Sequence, residues 1–173
     1  GGSARECLKY KEVKSVDLIE IDLRVIELSK RYLPTIGGSA WSDSRLNLNT
    51  KNGIDWVKNT KNNYYDVVVI DGADPIGPSK VLYSNSFLQD CKRILKPGGV
   101  LATQSESPES FRKVHINIVK ILRHIFDYAD PMYGPVSIYP SGLWSWTFAS
   151  MENPKYMYPK ISRIKEISKK CQI

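Results

Sequence analysis

The chain has 173 residues, of which 42% are hydrophobic and 25% charged, and it carries a formal net charge of +7 at pH 7. These values exclude a disordered or fibrous protein and predict one globular domain with a core that needs no disulfides or structural metals. The longest apolar runs fall short of the roughly eighteen residues that a membrane span needs, and the start shows no signal-peptide pattern.

The first half of the chain predicts strands and helices in alternation. Apolar residues recur at helical spacing in the helices, and Asp22 is placed to cap one of them. Because a proline and two glycines interrupt the pattern between residues 34 and 38, we expect a return loop there. The predicted elements are a helix from Arg5 to Tyr10, a strand from Val16 to Ile21, a helix from Leu23 to Tyr32, a strand from Arg45 to Thr50, a helix from Gly53 to Asn59 and a strand from Asp66 to Ile70.

The second half continues the alternation and then changes character. A proline and two glycines directly after Lys96 predict that a helix stops there, after a basic last turn. Trp144, Trp146 and Phe148 alternate in the last predicted strand, which places them on one face and favours a core role over a ligand platform. The predicted elements are a helix carrying Phe87 to Leu95, a strand from Val100 to Gln104, a helix from Glu109 to Ile125 and an antiparallel pair from Tyr128 to Tyr133 and from Trp144 to Ser150.

This order of elements predicts an α/β fold with a doubly wound, mostly parallel sheet and an antiparallel carboxyl-terminal edge. We expect one domain over residues 1–150 and a basic tail over residues 151–173. Ile161, Ile164 and Ile167 suggest that the tail forms a docking helix. Six basic residues stand against Glu152 and Glu166 in the tail. The solvated face of a terminal helix is favoured over a contact with RNA or an acidic partner, and nucleic-acid binding by the rest of the chain is not expected.

The cysteines and histidines indicate neither a disulfide framework nor a metal site. Cys7, Cys91 and Cys171 are not clustered, which fits a reduced, cytoplasmic protein better than a zinc site. His115 and His124 fall on one predicted helix. We therefore expect no metal.

An acidic loop follows the most apolar predicted strand. The run from Val67 to Ile70 is typical of a strand buried on both faces of a parallel sheet, and Asp71 and Asp74 follow it. Two prolines and a glycine next in sequence predict a stiff loop at the edge of the sheet where such folds bind ligands. The two carboxylates could bind a cationic substrate, and one could accept a proton from an attacking ammonium group. Ordinary turn-forming roles for both aspartates are the alternative.

Four stretches of the sequence together resemble the spermidine synthases, the polyamine aminopropyltransferase family. GGSARECLKY resembles the end of a glycine-rich nucleotide loop, and VDLIEID resembles the acidic strand end of the Rossmann-like fold of S-adenosylmethionine-dependent methyltransferases. IDGADPIGPS is similar to the catalytic loop of the spermidine synthases, and IYPSGLWSWTFAS is similar to their carboxyl-terminal signature. The resemblance covers nearly the whole chain and implies a catalytic domain over residues 1–150 that is truncated at its start.

The resemblance implies transfer of the aminopropyl group of decarboxylated S-adenosylmethionine to putrescine, which gives spermidine and 5′-methylthioadenosine. Asp71 matches the family's catalytic base, Asp74 matches its anchor for substrate ammonium groups, and Tyr139 matches the tyrosine that places the amine. The residues suit this chemistry, because an amine that is protonated near neutral pH must lose a proton before it can attack carbon.

The resemblance also assigns residues to the nucleoside. Glu20 matches the acid that binds the ribose hydroxyls, and Gly1 and Gly2 match the close-approach positions of the nucleotide loop. Asn52, before Gly53, stands where the family usually has an acid that contacts the adenine amino group, and its side-chain oxygen can still accept from that group. Decarboxylated S-adenosylmethionine is the expected co-substrate. No other cofactor is expected, since proximity and alignment supply most of the catalysis.

The family has an amino-terminal β-rich segment and a central first strand that precede the matching region of this chain. Without that strand, the sheet is expected to have unpaired edges in its middle. A truncated, noncatalytic nucleoside-binding homologue and an S-adenosylmethionine-dependent methyltransferase are therefore the alternatives. Putrescine is the default acceptor, while agmatine, cadaverine and spermidine stay open. The expected partners are small-molecule substrates, with a homodimer as a further expectation.

Overall fold

The computed structural model describes residues 1–139, 141–153 and 161–171 of the chain. The helices are α1 (Gly2–Leu8), α2 (Leu23–Tyr32), α3 (Pro34–Gly37), α4 (Gly53–Asn59), α5 (Asn85–Ile94), α6 (Arg112–Ile125) and α7 (Ile161–Cys171). The strands are β1 (Val16–Glu20), β2 (Leu46–Thr50), β3 (Tyr65–Ile70), β4 (Leu95–Gln104), β5 (Tyr128–Pro135) and β6 (Leu143–Ser150). Two 3₁₀ segments, Gly38–Ser42 and Gly77–Tyr83, complete the regular structure of the described residues.

The strands of the described residues form two sheets. β1 and β2 pair in parallel, with Val16 opposite Leu46 and Glu20 opposite Thr50. The other sheet has the order β3-β4-β6-β5, in which β3 and β4 are parallel and the other neighbours antiparallel. The mixed α/β class with an antiparallel carboxyl-terminal edge is therefore confirmed.

The described chain divides into two compact units, which separate after Trp56. The first contains residues 1–56 and helix α7, and the second contains the described residues from 57 to 153. The division into a domain over residues 1–150 and a tail over residues 151–173 stays a prediction. The core of the second unit is shared by β4, α5 and α6, and its side chains of at most 1% exposure include Leu88, Cys91, Ile94, Leu101, Ile118 and Leu122.

Local sequence signals explain how several elements begin. The side chain of Asp22 accepts a hydrogen bond from the backbone N–H of Arg24 at 2.8 Å, which confirms the predicted cap of α2. The Ser84 hydroxyl accepts from the N–H of Phe87 at the start of α5.

Burial raises the pKa of Cys91 to about 12, so this thiol acts as a packing group.

Strand β3 departs from its predicted burial. The prediction that it is buried on both faces is wrong for this chain, because Val67 is 55% and Val69 is 49% exposed while Ile70 is buried. Residues two apart share a face of a strand. β3 is the outer strand of its sheet, and only one of its two faces is covered, although the run from Val67 to Ile70 is apolar throughout.

Helix α5 ends at Ile94, one residue before the predicted end at Leu95, and the proline and glycines that follow Lys96 lie inside a strand. Strand β4 begins at Leu95, which pairs with Tyr65, and the register then shifts so that Val67 pairs with Val100. Gly98 has a φ of +71°, a conformation that favours glycine. The intervening residues form a bulge, so the strand starts earlier than its apolar pattern indicated.

Other element boundaries differ by a turn or less. The expected loop between residues 34 and 38 contains the short helix α3 and the start of a 3₁₀ segment. Helix α6 starts at Arg112 and not at Glu109, because the Ser107 hydroxyl accepts from the N–H of Ser110 and forms a turn before the helix. In α7, Ile161 and Ile164 are exposed. The side chain of Ile167 lies outside the described part, and the docking role of this helix stays a prediction.

The two faces of β6 carry different kinds of residues. Trp144 is buried, whereas Trp146 and Phe148 on the same face are half-buried. The opposite face carries Ser145 and Thr147, which are fully buried. The small polar face of this strand is therefore the more completely buried one.

Candidate active site

The acidic loop begins where β3 ends. Asp71 and Asp74 are both exposed, and Ile76 donates its N–H to the carbonyl of Asp74 at 2.6 Å. The Tyr83 hydroxyl donates to the carbonyl of Ala73 at 3.1 Å. A Cβ at position 72 would lie 2.9 Å from the Leu82 side chain, so the glycine there suits the close packing of the loop. The loop is thus tied to the following 3₁₀ segment and holds its two carboxylates at the carboxyl end of a parallel strand.

A third carboxyl group, from Glu106, joins this loop. Glu106 lies two residues beyond β4, is only 2% exposed and has its side chain within hydrogen-bonding reach of Asp74. Burial is the main cause that raises its pKa; the amide of Gln104 lowers the pKa in part, and the negative charge of Asp74 raises it further. Two neighbouring acids, one of them buried, would be stabilised in their ionised form by a bound cation, so the pair favours cation binding.

A buried amide connects this acid pair with the loop. The Nε2 of Gln104 donates to the Tyr83 hydroxyl at 2.7 Å, and its Oε1 accepts from the N–H of Glu106 at 3.0 Å and from the Trp144 indole at 3.2 Å. Burial raises the pKa of Tyr83 to about 12, so its hydroxyl keeps its proton and can donate to Ala73. This network links the ends of β3, β4 and β6 and fixes the separation of the acidic groups.

Tyr139 stands on the connection between β5 and β6. Its ring packs against Trp144 with centroids 4.5 Å apart and planes inclined by 57°. Phe111 contacts the same indole edge-on at 6.5 Å. Tyr139 is therefore attached, through Trp144 and Gln104, to the hydrogen-bonded network that holds Glu106. The structure brings Asp71, Asp74 and Tyr139 into one compact unit, and their roles as base, anchor and amine-placing tyrosine stay predictions.

In the other unit, Glu20 ends β1. Its Oε1 accepts the N–H of Asp22 at 3.0 Å, and its backbone carbonyl accepts the N–H of Lys51 at 2.9 Å. The carboxylate is thus oriented by the turn into α2 and lies at the carboxyl end of a parallel strand, the place where such folds bind nucleosides. A ribose-binding role for Glu20 stays a prediction.

Asn52 and the glycines have local structural roles. The Oδ1 of Asn52 accepts the N–H of Ile54 at 2.9 Å and caps α4, which starts at Gly53. A carbonyl oxygen has two lone pairs, so this bond leaves acceptor capacity for a ligand. A Cβ at Gly1 would collide with the Trp41 ring, whereas Gly2 has more room. Nucleoside contacts by these four residues stay predictions.

Glu106, Gln104 and Tyr83 were not predicted from the sequence. The same rule that selected Asp71 could have selected Gln104 and Glu106, since polar residues at the carboxyl end of a neighbouring parallel strand meet at one edge of the sheet. No comparable sequence signal points to Tyr83, because its contact with Ala73 depends on how the 3₁₀ segment turns back on the loop.

Replacing Glu106 by Gln tests the raised pKa of this carboxyl. Between the ordinary glutamate range and the raised value, the folded chain binds more protons than the unfolded chain, so stability falls as pH rises through that window. We expect Glu106→Gln to lose less stability than the unsubstituted chain as pH rises above the ordinary glutamate range, because the amide cannot ionise. Thermal unfolding across this range measures the difference. Glu109→Gln, which removes an exposed acid nearby, is the matched control, and parallel curves for Glu106→Gln and the unsubstituted chain would contradict the assignment.

Two other kinds of site receive no support. A depression lined by Gln89, Lys92, Arg93, His124 and Ile125 lies at the carboxyl ends of α5 and α6, where Lys92 donates to the carbonyl of Ile125 at 2.8 Å and so satisfies a helix end. In the part of the chain that the structure describes, no three His, Cys, Asp or Glu side chains are grouped as metal ligands would be.

None of the described helices combines the length and apolar character needed to cross a membrane.

These features define a Rossmann-like α/β protein with an acidic site at the carboxyl end of a parallel strand. The family model described as the spermine/spermidine synthase domain matches residues 1–158. The chain belongs to the spermine/spermidine synthase domain family, as the sequence resemblance indicated.

Individual relatives agree with this family. The chain is 84% identical to the polyamine aminopropyltransferase of Prochlorococcus marinus strain NATL1A and 56% identical to that of strain MIT 9313, over all 173 of its residues and 60% of each relative. A crystal structure of spermidine synthase in complex with the transition state analogue AdoDATO is 28% identical, with a TM-score of 0.85 over 99% of this chain and 66% of that one. Spermidine synthase from Thermotoga maritima is 27% identical, with a TM-score of 0.82 over 99% and 65%. The chain thus spans less than two thirds of these relatives.

Proposed function

We propose that this chain carries the catalytic site of an aminopropyltransferase, which moves the aminopropyl group of decarboxylated S-adenosylmethionine to putrescine. The observation that carries the proposal is the acidic loop, in which Asp71 and Asp74 follow β3 and Glu106 contacts Asp74. The names of the relatives support the same activity, since they are polyamine aminopropyltransferases and spermidine synthases.

The chemistry assigns a separate task to each carboxylate. Asp71 accepts a proton from the attacking ammonium group of putrescine, which frees the nitrogen lone pair. The nitrogen then forms a bond to the carbon next to sulfur while the carbon–sulfur bond breaks. The sulfonium becomes the neutral thioether of 5′-methylthioadenosine, and the proton stays on Asp71. Asp74 and Glu106 hold an ammonium group of the substrates, because a carboxylate that is partly removed from water stabilises a cation more than a fully exposed one does.

The nucleoside portion is assigned to the other unit. Glu20 accepts hydrogen bonds from the ribose hydroxyls, as an acid at this position does in dinucleotide folds. Asn52 accepts from the adenine amino group through the lone pair that the cap of α4 leaves available. The proposal includes no metal or further cofactor, since positioning of two cationic substrates supplies the main rate gain.

The proposal places the reaction in the cytoplasm. Cys7 and Cys91 are free thiols in the structure, which suits a reducing compartment. A homodimer stays a prediction, and the sedimentation or elution mass of the purified chain measures it directly.

Thermal unfolding with and without excess 5′-methylthioadenosine tests the nucleoside part of the proposal. At a hundred times its dissociation constant, a ligand adds about 2.7 kcal/mol to stability, so the midpoint should rise by roughly 5 to 10 °C for a chain of this size. Turnover with decarboxylated S-adenosylmethionine and putrescine then tests the transfer itself. S-adenosylhomocysteine, the product of methyl transfer, serves as the comparison ligand.

Each outcome separates the alternatives. A cooperative transition that shifts with 5′-methylthioadenosine, followed by spermidine formation, supports the proposal. Activity with S-adenosylmethionine and none with its decarboxylated form would instead assign a methyltransferase. A shift without turnover of either substrate would assign a noncatalytic nucleoside-binding chain, and a broad transition that ignores both nucleosides would overturn the nucleoside assignments.

A further inference from the structure

A buried polar cluster lies directly behind Glu106. It consists of Ser105, His115, Ser145 and Thr147, which come from the end of β4, from α6 and from β6. The two serines and the threonine are fully buried, and His115 is buried as well. Polar groups that are removed from water in this way are costly unless each is hydrogen-bonded. The hydrogen-bond partners inside the cluster therefore show which group donates and which accepts.

The hydrogen bonds among the hydroxyl groups of the buried polar cluster can have only one set of directions. Ser145 Oγ lies 2.6 Å from the backbone carbonyl of Glu106, which can only accept, so Ser145 uses its single proton there. The Ser105 hydroxyl must then donate to Ser145 Oγ at 2.9 Å, and Thr147 donates to Ser105 Oγ at 2.8 Å. The chain of donors runs from Thr147 to the carbonyl of Glu106.

His115 completes the cluster in a defined tautomer. Its Nδ1 lies 2.9 Å from the carbonyl of Ser105 and 3.0 Å from Ser145 Oγ. Because the carbonyl can only accept and the Ser145 proton is already used, Nδ1 carries the proton. Nε2 faces the Tyr133 hydroxyl at 3.4 Å. The ring thereby holds the backbone on the amino-terminal side of Glu106.

The backbone of Glu106 has an unfavourable conformation that these bonds maintain. Its φ is +67°, in the left-handed region that is unfavourable for a non-glycine residue. The N–H of Glu106 donates to Gln104 Oε1 at 3.0 Å, and its carbonyl accepts from Ser145. Both peptide groups of the strained residue are thus fixed, and the side chain is directed to Asp74.

We propose that Ser145 is a positioning residue, whose hydroxyl holds Glu106 in its left-handed conformation and so places the Glu106 carboxyl against Asp74. Ser145 contacts the backbone of Glu106 and not its carboxyl group, so it acts on the amine through Glu106. The kinetic consequence of this inference rests on the proposed function, in which the pair of acids binds an ammonium group. The position of the Glu106 carboxyl, which Ser145 is proposed to maintain, does not depend on the proposed function.

The experiment compares Ser145→Ala with Ser150→Ala. Both serines lie on β6, are at most 1% exposed and donate to a backbone carbonyl, of Glu106 at 2.6 Å and of Gly99 at 3.0 Å. The substitutions therefore remove equally buried hydroxyls, and only one of these holds Glu106. The readouts are the titration of the Glu106 side-chain carboxyl, followed by carbon-13 NMR, and the KM for putrescine against the KM for decarboxylated S-adenosylmethionine.

We expect Ser145→Ala to move the titration midpoint of Glu106 down, because the carboxyl leaves the negative charge of Asp74. We expect the KM for putrescine to rise about tenfold, as for one lost hydrogen bond to a charged group, with the KM for the nucleoside substrate unchanged. Ser150→Ala should leave both quantities as in the unsubstituted chain. Equal changes in the two variants, or no change in either, would overturn the proposal.

A second variant covers the case in which Ser145→Ala does not fold. Ser145→Cys has nearly the same size and keeps only a weak donor, so it should shift the Glu106 titration in the same direction by a smaller amount. An unshifted titration in a folded Ser145→Cys chain would contradict the positioning role. If the unsubstituted chain forms no spermidine, the proposed function fails, and the carboxyl titration by itself still decides the role of Ser145.

Discussion

If the proposed function holds, we expect Asp71→Asn to lower the rate of aminopropyl transfer by about 10²- to 10⁴-fold, the usual contribution of a positioned general base. The amide has the same shape as the carboxylate but cannot accept the proton of the attacking ammonium group. The loss should shrink as pH rises, because a growing share of putrescine is then deprotonated in solution. Binding of 5′-methylthioadenosine, measured by the ligand-dependent thermal shift, should stay unchanged, since Asp71 acts on the amine.

Asp66→Asn is the matched control for this prediction. Asp66 lies on β3, the strand that precedes Asp71; its side chain is 80% exposed and pairs with Lys96 at 2.7 Å. An exposed ion pair of this kind contributes little, so the rate should stay within about twofold of the unsubstituted chain. An undiminished transfer rate in Asp71→Asn would show that Asp71 is not the general base. An equal loss in both variants would point to a general effect of charge on the site.

Leu101→Ala is expected to destabilise the chain by about 2–5 kcal/mol, the range for truncating a large side chain in a packed core. Leu101 is fully buried and lies at the centre of β4, with Val68 as its parallel neighbour and Ala149 as its antiparallel neighbour. Because Leu101 is fully buried, its truncation would leave a cavity inside the core. The thermal midpoint should fall by roughly 5 to 20 °C for a chain of this size.

Val67→Ala provides the comparison for Leu101→Ala. Val67 is in the neighbouring strand but is 55% exposed, so its truncation should cost less than about 1 kcal/mol, the span of strand propensities. Chemical denaturation with a constant slope would measure both free energies of unfolding. A loss at Val67 as large as the loss at Leu101 would show that the open face of β3 is covered in solution.

Much of the fold was predictable because its signals are local. The apolar spacing of α2 and the Asp22 carboxylate define that helix within a dozen residues, and the structure gives the same bounds. The antiparallel pair at the carboxyl-terminal end and the acids after β3 were likewise found from neighbouring residues. The family was recognised from short motifs whose residues are nearly contiguous.

Burial and register were less predictable, because they depend on which strands lie side by side. The apolar run of β3 looks the same whether one or both of its faces are covered, and the position of the strand in the sheet order decides between them. A proline and two glycines end a helix in most sequences. Here α5 does end before them, but they also form a bulge within β4, because the strand already begins at Leu95, which pairs with Tyr65.

By itself, the sequence determined the α/β class, the family and the position of Asp71 and Asp74 directly after a strand, because periodicity, capping and motif spacing are properties of adjacent residues. Only the tertiary structure placed the buried Glu106 against Asp74 and the Ser145 hydroxyl on the carbonyl of Glu106. These contacts join residues some thirty to forty positions apart in the chain, and no local pattern encodes which strands bring them together. Their arrangement is fixed by the register of β4 on β6 and by the left-handed turn that follows β4.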